Sequence, residues 1–429
     1  MKTLLKGGMV FRDGVFLQQD VLIENGIVVS LQPDVPEQSG DLVFFLPGCH
    51  LLPGLADIHV HLREPGFSYK ETFSTGTLAA ARGGFTLVCA MPNVTPPPDT
   101  PEHLAVQQQL IAENAVVPVL PYGCLTLGRA GHKVCDIAAM AAGVAGFSDD
   151  GSGVQEDAVM RKAMQAAARA GALVCVHCED DSLLQGGVVH AGAWAKAQGL
   201  PGIASASEWQ PIARDIALAA ETGARYHVCH VSTKEGVALV RGAKARGLKV
   251  SCETAPHYLY FCDEDLRDDG RFRMNPPIRS RADQEALLAG VADGTIEVIA
   301  TDHAPHSAEE KGRGIAGSLM GVVGLETALA ACYTKLVLGG YITLETLVRR
   351  MATAPRRLVG QPDNAIAVGA PLDAVAVNFT QADVVDPDTF LSLGRSTPFA
   401  GEKLYGRPLA TWAAGQLVWQ APEHQWPAR

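Results

Sequence analysis

Between residues 57 and 66 the chain reads DIHVHLREPG, with Asp57, His59, His61 and Arg63 on every second position of an otherwise apolar run. In an extended strand alternate side chains share a face, so both imidazoles would point to one place. Two imidazoles at that spacing suit a zinc-like ion. An isolated His-X-His pair is more often packing than ligand, and it gains meaning only from partners elsewhere. Those partners stand at the ends of later apolar runs: Asp149 and Asp150 in GFSDDG, His177 in VCVHCED, His230 in HVCHVST and Asp302 in IATDHAPH. Four histidines and two carboxylates at one mouth are what two metal ions need, with three or four protein ligands each and an open position for water.

Other polar residues in these runs take plainer readings. His227, His257 and His303 are expected to be hydrogen-bonded structural histidines, because a mouth of this kind is polar anyway. His227 lies three residues before His230, so on a strand it faces the other way. Asp57 shares the face of His59 and His61 but lies deeper, and supports a ligand rather than binding a metal itself.

To gather these residues, the chain must bring many strand ends together. Short apolar, β-branched runs alternate with Ala-rich stretches between residues 54 and 304: LADIHVH, FTLVCAMPN, VVPVLPYGCLT, GVAGFSDDG, ALVCVHCED, RYHVCHVST, KVSCETAPH and IEVIATDHAPH. Helices are expected over Glu71–Arg82, Glu156–Ala170 and Trp209–Thr222 among others. This βαβ alternation, with eight units, predicts an α/β fold built on a (β/α)8 TIM-like metal-dependent hydrolase barrel, whose strand ends converge on one mouth. A doubly wound sheet usually carries a Gly-rich phosphate loop after its first strand, and none is seen. Residues 1–53 read as short strands with turns, and NAIAVGAPLDAVAVNF resumes that style. We therefore expect a small β-sandwich domain from both chain ends, residues 1–53 plus 361–429, and a catalytic barrel over 54–360.

At 429 residues, 47% hydrophobic and 19% charged, the chain has the composition of a globular protein large enough for a barrel and a smaller domain. A net charge of −11 argues against nucleic acid or an anionic membrane as partner, since both call for a basic patch. Ten cysteines occur; Cys89, Cys124, Cys175, Cys178, Cys229 and Cys252 sit in or beside strand-like runs without the spacing of a zinc knuckle or disulfide scaffold, and read as reduced core thiols. Gly7 and Gly8 break the start before any signal-length apolar segment forms, and no apolar run of spanning length follows. A cytoplasmic location is expected.

DIHVHLREPG, followed in order by CAMPNVTPPPDT, GFSDDGSGVQ, VCVHCED, CHVST, ETAPHYLYF, RMNPPIRS and IATDHAPHSAEEK, resembles the dihydroorotases of the amidohydrolase superfamily, in their type I branch. The resemblance runs from about Pro53 to Thr327. It implies reversible hydrolysis of dihydroorotate to N-carbamoyl-aspartate at a binuclear zinc centre, two Zn2+ per subunit. Matched residue by residue, His59, His61 and Asp302 bind one ion, His177 and His230 the other, and Asp150 bridges, with Asp149 as the alternative. Relatives such as hydantoinases and allantoinases commonly bridge with a carboxylated lysine on the fourth strand. No lysine lies between Lys133 and Lys162, which favours the dihydroorotase reading.

With that chemistry, Asp302 is expected to take the proton of the attacking water and deliver it to the departing amide nitrogen. Arg63 offers a guanidinium fork for a substrate carboxylate, since an arginine beside a metal site without an anion is costly. The resemblance adds His61, Asn93, Asn275 and His306 as substrate contacts, with backbone groups at Met320 and Gly321. Pro92, Pro96, Pro97 and Pro98 stiffen the loop around Asn93. It also brings a homodimer and aspartate carbamoyltransferase as partners. One stretch departs: family members usually carry a phenylalanine and an Ala-Pro-Phe-Gly run where this chain reads GRGIAGSLMGVVGLET. Its glycines predict a mobile lid over residues 307–319 that orders on substrate. Two other readings remain, a cyclic amidase acting on hydantoin, dihydrouracil or allantoin, and a scaffold without activity. Arg63 with Asn93 speaks against the first, and the full ligand set against the second.

Overall fold

In the computed structural model, which describes residues 2–422, the chain starts with β1 (Lys2–Arg12), β2 (Val15–Glu24) and β3 (Ile27–Gln32), followed by β4 (Leu42–Phe45) and β5 (His50–Pro53). Asp13–Gly14 joins β1 to β2 and Asn25–Gly26 joins β2 to β3, every one of these four residues at positive φ. That is the left-handed two-residue turn whose twist matches the flanking strands, and Asn-Gly is its strongest signal.

Nine strands follow, and the polar residues lie on or just past several of them. β6 (Leu55–Val60), β7 (Phe85–Ala90) and β8 (Val119–Pro121) pair in parallel. Beyond them come β9 (Leu173–Val176), a small parallel pair of β10 (Val189–His190) and β11 (Gly202–Ile203), then β12 (Arg225–Val228), β13 (Val250–Thr254) and β14 (Val298–Ile299). β9, β12, β13 and β14 pair side by side in parallel. Every residue of β6, β7, β9 and β13 is buried, as expected of parallel strands covered on both faces. Parallel bridges Gly123↔Phe147 and Phe147↔Val174 join β8 to β9, and Val60↔His303 joins the end of β14 back to β6, so the pairing returns to its start.

The run 143–151, expected as a strand, is shorter than that: it meets both neighbours through Phe147 alone. A Cβ at Gly146 would stand 2.8 Å from the Leu173 carbonyl oxygen, so the backbone is pressed close there, and the Asp149 side chain then turns away to bond residues 125 and 126. Helices cover the outside. Phe73–Arg82 starts at Thr72, whose hydroxyl accepts the Thr75 N–H, two residues later than expected, because Glu71 is bonded to His303 and Ser392. Asp157–Ala170 turns Val159, Met160, Ala163, Met164 and Ala167 inward and stops at left-handed Gly171, the usual glycine C-cap. A third helix, Ala206–Thr222, begins earlier than expected.

β15 (Ala374–Val384), β16 (Lys403–Ala413) and β17 (Gln416–Gln420) complete the chain. β15 pairs antiparallel with β5, and the strands of both ends form one eight-stranded sheet in the order β17-β16-β15-β5-β1-β2-β3, with β4 also on β1. A register shift between Leu5 and Gly8 lets β1 take β4 and then β5 as successive partners. The sheet curls over its own core of Leu5, Val10, Leu51, Leu409 and Trp412, and Phe44 of β4 meets Trp412 of β16 with ring centres 5.9 Å apart. All ten cysteines are free and buried. Among the described residues no helix is long and apolar enough to cross a membrane.

Candidate metal centre

Six of the residues singled out above meet where the parallel strands end. His59 is the fifth residue of β6 and His61 follows that strand; His177 and His230 stand just past β9 and β12, and Asp302 past β14. His61 Nε2 lies 3.1 Å from Asp302 Oδ1, and His59 Nε2 lies 3.6 Å from the same oxygen. On the other side, His177 Nδ1 and His230 Nε2 are 2.9 Å apart and 3.8 and 3.7 Å from Asp150 Oδ1. Asp150 lies between the two sets, with Oδ1 3.4 Å from His59 Nε2 and Oδ2 3.6 Å from His61 Nε2. Asp149 is excluded from this cluster by its own bonds: its carboxylate accepts the N–H groups of Leu125 and Thr126 and the Thr126 hydroxyl.

Three histidines share one design. His59 Nδ1 is held by Glu253 Oε1 at 2.6 Å, His61 Nδ1 by Asn93 Oδ1 at 2.7 Å and His177 Nε2 by Glu179 Oε2 at 3.3 Å. In each, the other ring nitrogen is turned into the cluster. An outer acceptor that fixes the ring and its tautomer is the usual support of a metal-binding histidine. His59 Nε2 and Asp150 Oδ1 are buried with no hydrogen-bond partner among the described residues, which native proteins rarely leave unexplained. Imidazole nitrogens and carboxylate oxygens so arranged fit divalent cations. The His59, His61, Asp302 atoms and the His59, Asp150, His230 atoms each lie within 4.8 Å of one another. In a further group, His59, Cys229 and Glu253, Glu253 is already engaged with His59 Nδ1, and burial pushes the Cys229 thiol well above its ordinary range.

Charge follows the same geometry. Burial resists ionisation of Asp150 and Asp302, yet the histidines around them win: Asp150 is held well below the usual carboxylate range, and Asp302 at about 2. Burial also opposes charge on His177, but Glu179 and Asp150 push it up to about 9. His230, Asp302 and Arg63 all have positive φ, 34°, 50° and 61°, a left-handed backbone that costs about 1–2 kcal/mol per non-glycine residue and clusters at functional sites. Arg63 therefore arrives differently from expectation: β6 ends at Val60, and a left-handed turn, rather than continued alternation, carries the guanidinium to the mouth.

On the side facing the mouth, Arg63 is 8% exposed and donates from Nε to the Pro305 carbonyl at 3.2 Å. No carboxylate of the described residues lies within ion-pair distance of it. Its neighbour Glu64 is engaged elsewhere, accepting the Phe73 N–H at 2.7 Å. Asn275 donates from Nδ2 to Glu179 Oε1 at 2.9 Å, and its buried Oδ1 has no partner among the described residues. His306 Nε2 lies 2.8 Å from the Met320 carbonyl oxygen. The Met320 carbonyl and the Gly321 N–H, expected to meet substrate, already have partners, the latter in the Arg273 carbonyl at 3.0 Å. The stretch 307–319 is held down despite its glycines: Lys311, Ile315 and Ser318 are buried, and Lys311 Nζ donates to the carbonyls of Arg273 and Leu319.

Of the structural readings, those of Asp57, His303 and His227 acquire partners, whereas His257 Nε2, expected to be hydrogen-bonded, is buried with none among the described residues. Asp57 accepts the N–H groups of His59 and Thr301, so it fixes backbone rather than a ring, and burial draws its pKa up to about 7. His303 lies 3.3 Å from Glu71, and His227 3.2 Å from Glu253 Oε2. Sequence reasoning missed Glu253 and Glu179. Glu179 had a signal, standing at the alternate position after His177; Glu253 had only that of an acid inside an apolar run.

Comparison with known proteins places this arrangement. Residues 48–236 match the family described as Dihydro-orotase-like. A dihydroorotase of Bacillus caldolyticus is 47% identical over 423 residues, 98% of this chain and 99% of that protein. One from Lactobacillus leichmannii is 45% identical over the same share of each. Among solved structures, the L-hydantoinase (dihydropyrimidinase) from Arthrobacter aurescens superposes with a TM-score of 0.87 at 26% identity, covering 97% of this chain and 96% of that one. The dihydropyrimidinase from Brevibacillus agri does so at 0.85 and 24% identity, covering 98% and 95%, a likeness of fold.

Proposed function

Since this chain belongs to the dihydroorotase family, we propose how its residues carry out the reaction, the reversible hydrolysis of (S)-dihydroorotate to N-carbamoyl-L-aspartate, third step of de novo pyrimidine (UMP) biosynthesis. The chain is a cyclic amide hydrolase, a dihydroorotase. We read the closed parallel circuit as the (β/α)8 barrel, residues 54–360, and residues 1–53 plus 361–429 as the composite β domain.

The observation that carries the substrate assignment is Arg63. A buried guanidinium beside the cluster, with a carbonyl but no acid for partner, suits a substrate that brings its own carboxylate, which dihydroorotate has and hydantoin and dihydrouracil lack. Asn275 adds direction: with Nδ2 committed to Glu179, its free Oδ1 can accept a ring N–H. Asn93 and His306 complete the contacts, with the backbone at Met320 and Gly321 exchanging its present partners for substrate.

Zinc suits the donor set of imidazole and carboxylate, two ions per subunit, with His59, His61 and Asp302 holding one, His177 and His230 the other and Asp150 between them. Such ions, when bound, polarise the amide carbonyl and make a water available as nucleophile near neutral pH. Asp302 supplies the proton chemistry. His61 and His59 keep its carboxylate ionised, so it can take the proton of the attacking water and give it to the departing nitrogen, base first and acid afterwards. Asn93 fixes the His61 ring through Nδ1, which leaves Nε2, 3.1 Å from Asp302 Oδ1, as the atom that would share an ion with that carboxylate.

Zinc-loaded protein offered dihydroorotate, dihydrouracil, hydantoin and allantoin tests this reading. Ring opening of dihydroorotate in preference to the other three is expected. No turnover of it, alone or with aspartate carbamoyltransferase, would sink the assignment. A homodimer, association with that transcarbamoylase and a cytoplasmic location go with the family and are tested by light scattering, co-purification and fractionation.

A further inference from the structure

Tyr69, Lys70 and Glu310 have no role in the reaction described above, yet Lys70 and Glu310 flank His306 and Tyr69 bonds Glu310. Lys70 is 9% exposed, and its ammonium stands 3.2 Å from His306 Nδ1 and 3.0 Å from Glu310 Oε1. Tyr69 donates to the same Glu310 oxygen at 3.0 Å, and Glu310 Oε2 accepts the Ser307 N–H at 3.0 Å. Across the ring, His306 Nε2 faces the Met320 carbonyl oxygen at 2.8 Å.

The contacts with Lys70 and Met320 favour one neutral state of this imidazole. An ammonium only donates and a carbonyl only accepts. Nδ1 must therefore accept from Lys70, and Nε2 must carry the hydrogen that reaches Met320. A proton on Nδ1 alone would set the Nε2 lone pair against the Met320 oxygen, and a doubly protonated ring would put a second cation 3.2 Å from Lys70. Glu310 Oε2, 3.3 Å from Nδ1, pulls toward a proton there, so the ammonium decides between the two tautomers. Burial, Arg63 and Lys70 draw the His306 pKa down to about 3, in keeping with an uncharged ring.

We propose that Lys70 is a positioning residue for substrate binding: it fixes His306 as the neutral Nε2–H tautomer, so that the ring offers a hydrogen-bond donor to the substrate carboxylate beside Arg63. The proposal rests on the reading of His306 as a substrate contact. Without substrate the Met320 carbonyl holds that N–H, and a carboxylate, the stronger acceptor, takes it over. The opposite tautomer would present a lone pair to the anion and weaken binding.

Ring 15N shifts of His306 in the zinc-loaded protein, assigned by loss of its signals in His306→Gln, read the tautomer directly, and dihydroorotate kinetics read its consequence. In the unsubstituted protein the Nε2–H form is expected; the Nδ1–H form there would overturn the proposal without any Lys70 variant. Lys70→Met should move His306 toward Nδ1–H and raise KM about tenfold, the loss of one charge-assisted hydrogen bond, with kcat within about twofold. Lys70→Arg, which keeps a donor and a charge, should retain the tautomer and KM. An unchanged tautomer in Lys70→Met overturns the role of Lys70. A changed tautomer with unchanged KM overturns the substrate contact of His306, while dihydroorotate turnover by the unsubstituted protein still stands as the separate test of the reaction.

Discussion

Arg63, at the mouth where the parallel strands end, and Arg356, near the opposite ends where they begin, are buried almost equally, 8% and 7% exposed. Burial lowers the pKa of both. Their partners differ. Arg356 Nη2 donates to Thr86 Oγ1 at 2.7 Å and faces both oxygens of Asp373 at 3.3 Å, and Asn364 ties Asp373 to the backbone of Gly54, where β5 passes into β6. Arg63 has the Pro305 carbonyl and no acid within ion-pair distance, only the more distant charges of Asp302, Asp150, Glu310 and Glu71. A buried charge without a partner costs several kcal/mol and persists where something outside the chain completes it. Pairing, rather than burial, thus separates the arginine that joins two parts of the fold from the one proposed to bind a substrate, in line with stability at the strand starts and chemistry at the strand ends.

Substitutions at the two ends should therefore fail in different ways. At the mouth the largest loss is expected from Asp302→Asn, which removes the proton carrier: kcat for ring opening should fall about 10³-fold, and full activity would break the proposed proton transfer. Arg63→Met should lower kcat/KM for dihydroorotate by about 10²-fold, and more than for dihydrouracil, as expected when a charged hydrogen-bonding pair with substrate is lost. Its melting temperature should change little, because the guanidinium makes no ion pair, while Asp302, Asp150, Glu310 and Glu71 offset its burial from farther off. Arg356→Met should do the reverse, destabilising the protein by about 1–3 kcal/mol, since half-buried Asp373 loses its cation, while the kinetics of the folded fraction stay unchanged; denaturant melts and steady-state rates check both. Glu253→Gln tests the outer support of the mouth: metal affinity, measured by chelator competition, should weaken about 10-fold to 100-fold with little change in stability of the loaded protein.

Much of the mouth was legible because metal chemistry restricts residue type and strand geometry restricts spacing. His59 and His61 stand two apart, and His177, His230 and Asp302 each follow an apolar run; all of these positions were readable one segment at a time. Helix ends were less so, because Thr72 rather than Glu71 caps the helix over 73–82, and Glu71 is drawn off by residues more than 200 positions away. The lid expected over 307–319 rested on glycines in the sequence, whereas the buried Lys311 side chain, bonded to two carbonyls, decides how that segment sits.

By itself the sequence determined the kinds of candidate ligand, their order along the chain, the alternation of strand and helix that collects them, and the arginine proposed to answer a carboxylate. Only the tertiary structure turned Asp149 away from the cluster and Asp150 into it, placed Glu253 behind His59, left Arg63 without an ion pair and set Lys70 against His306. The reason is physical. Ligand type and alternation are local properties of the chain, fixed within a few residues by chemistry and backbone geometry, whereas a partner for a buried nitrogen or charge is chosen by which strands close against one another across hundreds of residues.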